Sequence, residues 1–183
     1  MNIGLVLVDI QNDYFKGGKA ELFQPEKAAY QAKKILSFFR SNNLPVFHVK
    51  HVNITKNAAF FIPETMGVDI YKDVYPQDGE AVIIKHTPDS FFETSLRSRL
   101  EDRNISHLVV CGMMTHMCID TTVRSARNLD YSVTLIEDAC TTMDLIWKDN
   151  KIPAVTVHET FMAALNGTFA EIQTADEWIK KMS

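Results

Sequence analysis

The strongest constraint on this chain is an alternation. Short aliphatic runs, apolar on both faces, are separated by longer stretches with helical spacing. Ile3–Val8 reads Ile-Gly-Leu-Val-Leu-Val with no polar face at all. Such a strand must be covered on both sides, which is the signature of a parallel sheet between helical layers. Residues 25–42 follow with Ala28, Ala29, Ala32, Ile35, Leu36 and Phe39 on one helical face, and Pro25 suits the first turn. The same reading predicts strands at 44–49, Ala81–Lys85, 108–111, 132–136 and 169–172. It predicts helices at 92–104, 118–129, 155–165 and Ala175–Met182. The expected fold is a three-layer α/β arrangement with a mostly parallel sheet of about six strands and right-handed crossovers. At 183 residues, and with roughly 150 residues per domain, a single domain over 1–183 is expected.

Several function classes drop out. The chain carries 19 Lys and Arg against 23 Asp and Glu, a formal net charge of −4, with no basic cluster. That predicts no nucleic-acid and no membrane-surface binding. No apolar run reaches the length of a membrane span. The first residues lack a basic segment and a small-residue cleavage site, which points to the cytoplasm. Three cysteines, Cys111, Cys118 and Cys140, are an odd set for a disulfide framework and leave room for a reactive thiol. There is no G-x-G-x-x-G, no P-loop and no G-x-S-x-G, so no cofactor is expected.

In parallel α/β sheets ligands bind beyond the carboxyl ends of the strands. Asp9 ends the first strand, Lys85 ends Ala-Val-Ile-Ile-Lys, and Cys118 opens a helix after the 108–111 strand. A thiol at a helix N-terminus has its thiolate favoured, and a carboxylate beside it can take and return a proton. A catalytic thiolate of this kind should react fast with iodoacetamide at neutral pH. Each residue also has a plainer reading: Cys118 as a small buried hydrophobe, Asp9 as a cap, Lys85 as a surface lysine.

The residues between these ends carry a resemblance. Val8-Asp9-Ile10-Gln11-Asn12-Asp13-Tyr14-Phe15 resembles the D-x-Q-N-D-[FY] opening of the isochorismatase-like cysteine hydrolases. Lys85 followed by Ser90-Phe91 resembles their lysine segment, and Gly112-Met113-Met114-Thr115-His116-Met117-Cys118 their G-x-x-T-x-x-C nucleophile motif. Glu137-Asp138-Ala139-Cys140 and the residues around His158 and Phe169 are similar to the segments that follow. The resemblance implies a Rossmann-like α/β/α fold, Cys118 as nucleophile, Asp9 as proton acceptor and donor, and Lys85 as the tuning cation. It also implies an oxyanion hole from the Met114 and Cys118 N–H groups and a cis Met113–Met114 bond. It implies a small-molecule substrate and a homo-oligomer.

Nicotinamidases of that family hold a metal with an Asp-x-His pair, which aligns here with His51 and Asn53. The acid is missing, and His48 and His51 fall on opposite strand faces, so no metal is expected. Gln11, Phe60, Phe61 and His116 are the candidates for the substrate pocket. Phe60 and Phe61 lie in the aperiodic connection 52–79, which reads either as a cover over the site or as a plug of the core. The expected reaction is hydrolysis of a C–N bond in a small amide or carbamoyl compound through a thioester. Vinyl-ether hydrolysis and a non-catalytic partner-binding domain remain as alternatives.

Overall fold

Six strands form one sheet in the order β3-β2-β1-β4-β5-β8, and every neighbouring pair is parallel. The strands are β1 (Ile3–Val8), β2 (Val46–His51), β3 (Ala81–Lys85), β4 (His107–Met113), β5 (Ser132–Thr141) and β8 (Glu171–Gln173). The computed structural model describes residues 2–183. Helices α1 (Pro25–Ser41), α2 (Leu96–Glu101), α3 (Asp120–Asn128), α4 (Ala154–Leu165) and α5 (Ala175–Met182) complete the fold. All six residues of β1 are buried, as its two-faced aliphatic pattern requires. The predicted face of α1 is the one it buries. Among the described residues no helix is long and apolar enough to cross a membrane.

Most predicted elements shift by a few residues at their ends, and three change for a reason that can be named. The helix expected at 92–104 shrinks to α2, because Glu93 takes a left-handed φ of 53° and interrupts the turn. The strand expected at 132–136 runs on to Thr141. A register shift against β4 between Val110 and Gly112 takes up the polar pair Glu137-Asp138, and the Asp138 carboxylate accepts the Ala175 N–H at the start of α5 at 2.8 Å. The helix expected to open at Cys118 begins earlier and wider. Thr115–Ile119 form a π-type turn in which the Met114 carbonyl accepts the N–H groups of Met117 and Ile119, and α3 follows it. A small antiparallel hairpin, β6 (Leu145–Trp147) and β7 (Asn150–Ile152), stands apart from the sheet and was not foreseen.

The connection 52–79 has two single 3-10 turns and no longer element. It is held by the three residues after Ile10. The Gln11 amide donates to the Val68 carbonyl at 2.7 Å, the Asn12 amide to Met66 at 2.8 Å, and the Asp13 carboxylate accepts the Phe61 N–H at 2.6 Å. Gly67 lies so close that a Cβ there would meet the Asp13 carboxylate at 2.2 Å. Phe61 is fully buried against Tyr14, with ring centroids 4.6 Å apart, and Phe60 is half-buried beside both. The segment is therefore packed down onto the carboxyl edge of β1 and β2.

Candidate active site

Strand order reverses between β1 and β4, the point where a doubly wound sheet leaves a crevice at its carboxyl edge. Asp9 is the first residue past β1, in a left-handed conformation with φ 51° that an aspartate tolerates better than most side chains. At the same level Gly112 lies against β1. Its φ of 136° and the 2.0 Å that would separate a Cβ from the Val8 carbonyl oxygen both demand glycine. That close approach draws the end of β4, and with it the turn carrying Cys118, up against Asp9. Lys85 arrives from the end of β3.

The three predicted residues do meet. Lys85 Nζ lies 2.7 Å from Asp9 Oδ2 and 3.1 Å from Cys118 Sγ. Asp9, Lys85 and Cys118 are 0%, 1% and 4% exposed. Asp9 Oδ2 faces the Lys85 ammonium, and Asp9 Oδ1 has no hydrogen-bond partner. Burial alone would push the Lys85 ammonium down, but Asp9 and Cys118 outweigh it and its pKa is raised. The thiol behaves opposite to the expectation of a favoured thiolate. Burial, then the Asp9 charge, push Cys118 up, and Lys85 offsets only part of this. That direction favours the proton on sulfur, and Asp9 stands beside it as a base. Cys111 and Cys140 are buried in the sheet, and burial pushes the Cys140 thiol up to about 12.

The remaining candidates take different places. The bond between Met113 and Met114 is cis, as the family resemblance implies. Thr115 donates to or accepts from His158 Nδ1 at 2.9 Å, and His116 Nδ1 bonds the Thr142 hydroxyl, so both fasten the nucleophile turn to α4 and the end of β5. Gln11 is fully buried, and its amide is used up: it donates to the carbonyls of His51 and Val68 and accepts the His51 N–H. It shapes the wall of the site and has no free group for a ligand. His48 and His51 point apart as their spacing predicts. His48 pairs with Glu80 at 2.8 Å on the far face, while His51 Nδ1 reaches Lys85 Nζ at 3.1 Å. Phe61 lies against the His51 ring at 5.8 Å. The sequence reading missed Tyr14 as a neighbour of the site. It is buried, and burial first, then the charges of Cys118 and Asp9, raise its pKa.

A groove of 560 Å³ opens between α1, the end of β5 and α4, lined by Phe23, Tyr30, Cys140, Thr142, Val155 and His158 among others. Asp9, Lys85 and Cys118 do not line it, so its size does not make it the site of this chemistry.

The donor atoms of Asp9, His51 and Cys118 lie within 4.8 Å of one another, a spacing suited to a cation. The Lys85 ammonium stands among them and supplies the positive charge a metal would bring. Turnover should therefore survive dialysis against a strong chelator. A loss restored by zinc or iron would overturn this.

Comparison with known proteins agrees with the geometry. A family profile described as the isochorismatase domain matches residues 4–177. The chain is 50% identical over 180 residues to the uncharacterized isochorismatase family protein YddQ of Bacillus subtilis (strain 168), covering 98% of this chain and 100% of that protein. A crystal structure of a putative isochorismatase hydrolase from Oleispira antarctica superposes with a TM-score of 0.94 at 44% identity, covering 97% of this chain and 96% of the other. A more distant relative, the ureidoacrylate amidohydrolase RutB of Variovorax paradoxus (strain S110), is 25% identical over 115 residues, 63% of this chain and 42% of that protein.

Proposed function

The chain belongs to the isochorismatase family of hydrolases, and from that premise we propose that it cleaves a C–N bond in a small amide or carbamoyl compound by covalent catalysis at Cys118. The observation that carries the reading is the Lys85 ammonium set 2.7 Å from Asp9 and 3.1 Å from the Cys118 sulfur, all three out of water. As the sulfur attacks the carbonyl carbon, Asp9 takes the thiol proton. The oxygen of the tetrahedral intermediate faces the Met114 and Cys118 N–H groups. Asp9 returns the proton to the departing nitrogen, and the C–N bond breaks to leave a thioester. Water, losing a proton to Asp9, then cleaves the thioester, and the thiol is restored. No cofactor enters this balance.

The raised thiol fits this order of events. A carboxylate with one oxygen on the ammonium and the other unpartnered is available to the proton that the buried thiol holds. Vinyl-ether hydrolysis needs an acid but no sulfur, and it gives the Lys85–Cys118 contact nothing to do. A partner-binding domain has no use for a buried ion pair beside a thiol. The relative named as an amidohydrolase supports the C–N bond as target. Phe61 and Tyr14 would exclude water and shape the pocket.

The test is a panel of small amides mixed with the protein, quenched early and digested. An acyl mass on the peptide containing Cys118, which disappears on longer incubation, is the expected result. Turnover of an amide with no acyl adduct at any time would overturn the thioester.

A further inference from the structure

His51 and Lys85 are direct partners in the register between β2 and β3, so their side chains leave the same face of the sheet at its carboxyl edge. Parallel neighbours paired this way stand side by side, and here they touch at 3.1 Å. The Lys85 N–H is the donor, so His51 Nδ1 is unprotonated and the ring proton is on Nε2. Burial, and then the Lys85 charge, lower the His51 pKa to about 4. Its backbone is fixed as well. One amide, that of Gln11, accepts the His51 N–H at 2.8 Å and donates to the His51 carbonyl at 2.9 Å.

The Lys85 ammonium has three protons and four acceptors. They are Asp9 Oδ2 at 2.7 Å, the Thr87 carbonyl at 2.9 Å, and His51 Nδ1 and Cys118 Sγ, both at 3.1 Å. The carboxylate attracts by charge and the carbonyl is a strong fixed acceptor. Histidine and sulfur are left to share the third proton. A neutral thiol is a weak acceptor and an imidazole nitrogen a good one, whereas a thiolate outcompetes both.

We propose that His51 is a positioning residue for Lys85: its Nδ1 holds the third ammonium proton while the sulfur is a thiol or a thioester, and releases it to the sulfur when the thiolate forms. This rests on the reading of Cys118 as nucleophile. The Asp-x-Gln opening of the motif then acts as a chain, with Gln11 fixing His51, His51 steering Lys85, and Lys85 serving the sulfur. The charged and titratable groups facing His51 are Asp9 beyond β1, Lys85 and His86 on and beyond β3, and Cys118 before α3.

The proposal has a measurable sign. Removing the competing acceptor destabilises the thiol form and leaves the thiolate form untouched, so the thiol must ionise more readily. In His51→Leu the thiolate absorbance in the ultraviolet, read against a Cys118→Ser blank, should appear at a pH about one unit lower than in the parent protein, the size of one hydrogen bond to a charged donor. His51→Asn, which keeps an acceptor near the Nδ1 position, should stay close to the parent. Loss of packing alone would lower the melting temperature of both variants without moving the absorbance. If His51→Leu does not fold, His51→Phe keeps the ring volume against Phe61 and carries the same measurement. An unmoved or upward-shifted onset in a folded variant lacking the acceptor would overturn the proposal. Failure of the nucleophile reading is separate: it would show as acylation or turnover independent of Cys118, whatever His51 does.

Discussion

Replacing Cys118 by alanine should abolish turnover, by about 10⁴-fold or more, while the protein still folds. The magnitude is that of removing a covalent nucleophile whose partners act as one unit with it. The change deletes one small side chain beside a crevice, so the stability cost should not exceed about 1–3 kcal/mol. Cys111→Ala and Cys140→Ala are the internal controls. Both thiols are buried within the sheet, in β4 and β5 rather than at the ends of β1 and β3, so both variants should keep activity. Activity measured on purified protein, beside a melting curve, is sufficient. Hydrolysis at the parent rate in Cys118→Ala would remove the nucleophile from Cys118.

Asp9→Asn should be nearly as damaging, for two separable reasons. An amide can neither take the thiol proton nor return it to the leaving nitrogen, which costs about 10²–10⁴ in rate for a general acid and base. It also leaves the Lys85 ammonium buried without its counter-charge, and breaking one side of a buried pair costs about 3–5 kcal/mol of stability. The two are told apart by the leaving group. A substrate whose leaving group departs without a proton should lose less rate than a plain amide, while an effect on folding alone lowers both equally. Equal losses in well-folded protein would count against Asp9 as the proton donor.

How much of this was readable beforehand depended on the range of the interaction. Strands such as β1 and helices such as α1 declare themselves through their own side-chain period, because burial on two faces or one dictates residue type locally. Asp9, Lys85 and Cys118 were candidates because reactive groups at strand ends share one edge of a parallel sheet, and the resemblance to the isochorismatase-like cysteine hydrolases singled them out. The steering contact of His51 was not, since it depends on which residue of β2 lies opposite Lys85. Gln11, Asn12 and Asp13 sit inside what reads as a catalytic motif, and their side chains hold the connection 52–79. The upward direction of the Cys118 shift was not legible, because the Thr115–Ile119 turn places Cys118 ahead of α3, beside a carboxylate, and not at the first residue of a helix. The hairpin of β6 and β7 has three-residue strands with Ile146 and Trp147 exposed, too short for any period to show.

That same clamp bears on the route by which the chain folds. The bonds from Gln11 to His51 and Val68 join residues 40 and 57 positions apart, and the bond from Asp13 to Phe61 spans 48. Closing loops of that span costs entropy before the apolar contacts of Phe61 repay any of it. The β1–β2 pairing itself spans 41 positions, Leu5 to Val46, and closes that loop without the clamp, as the α1 face forms without it. The wall around Cys118 can close only after them, so the reactive pocket is among the last parts of the molecule to acquire its form. In a pulse-labelled refolding experiment, amide protection at Phe61 should therefore lag behind protection in β1.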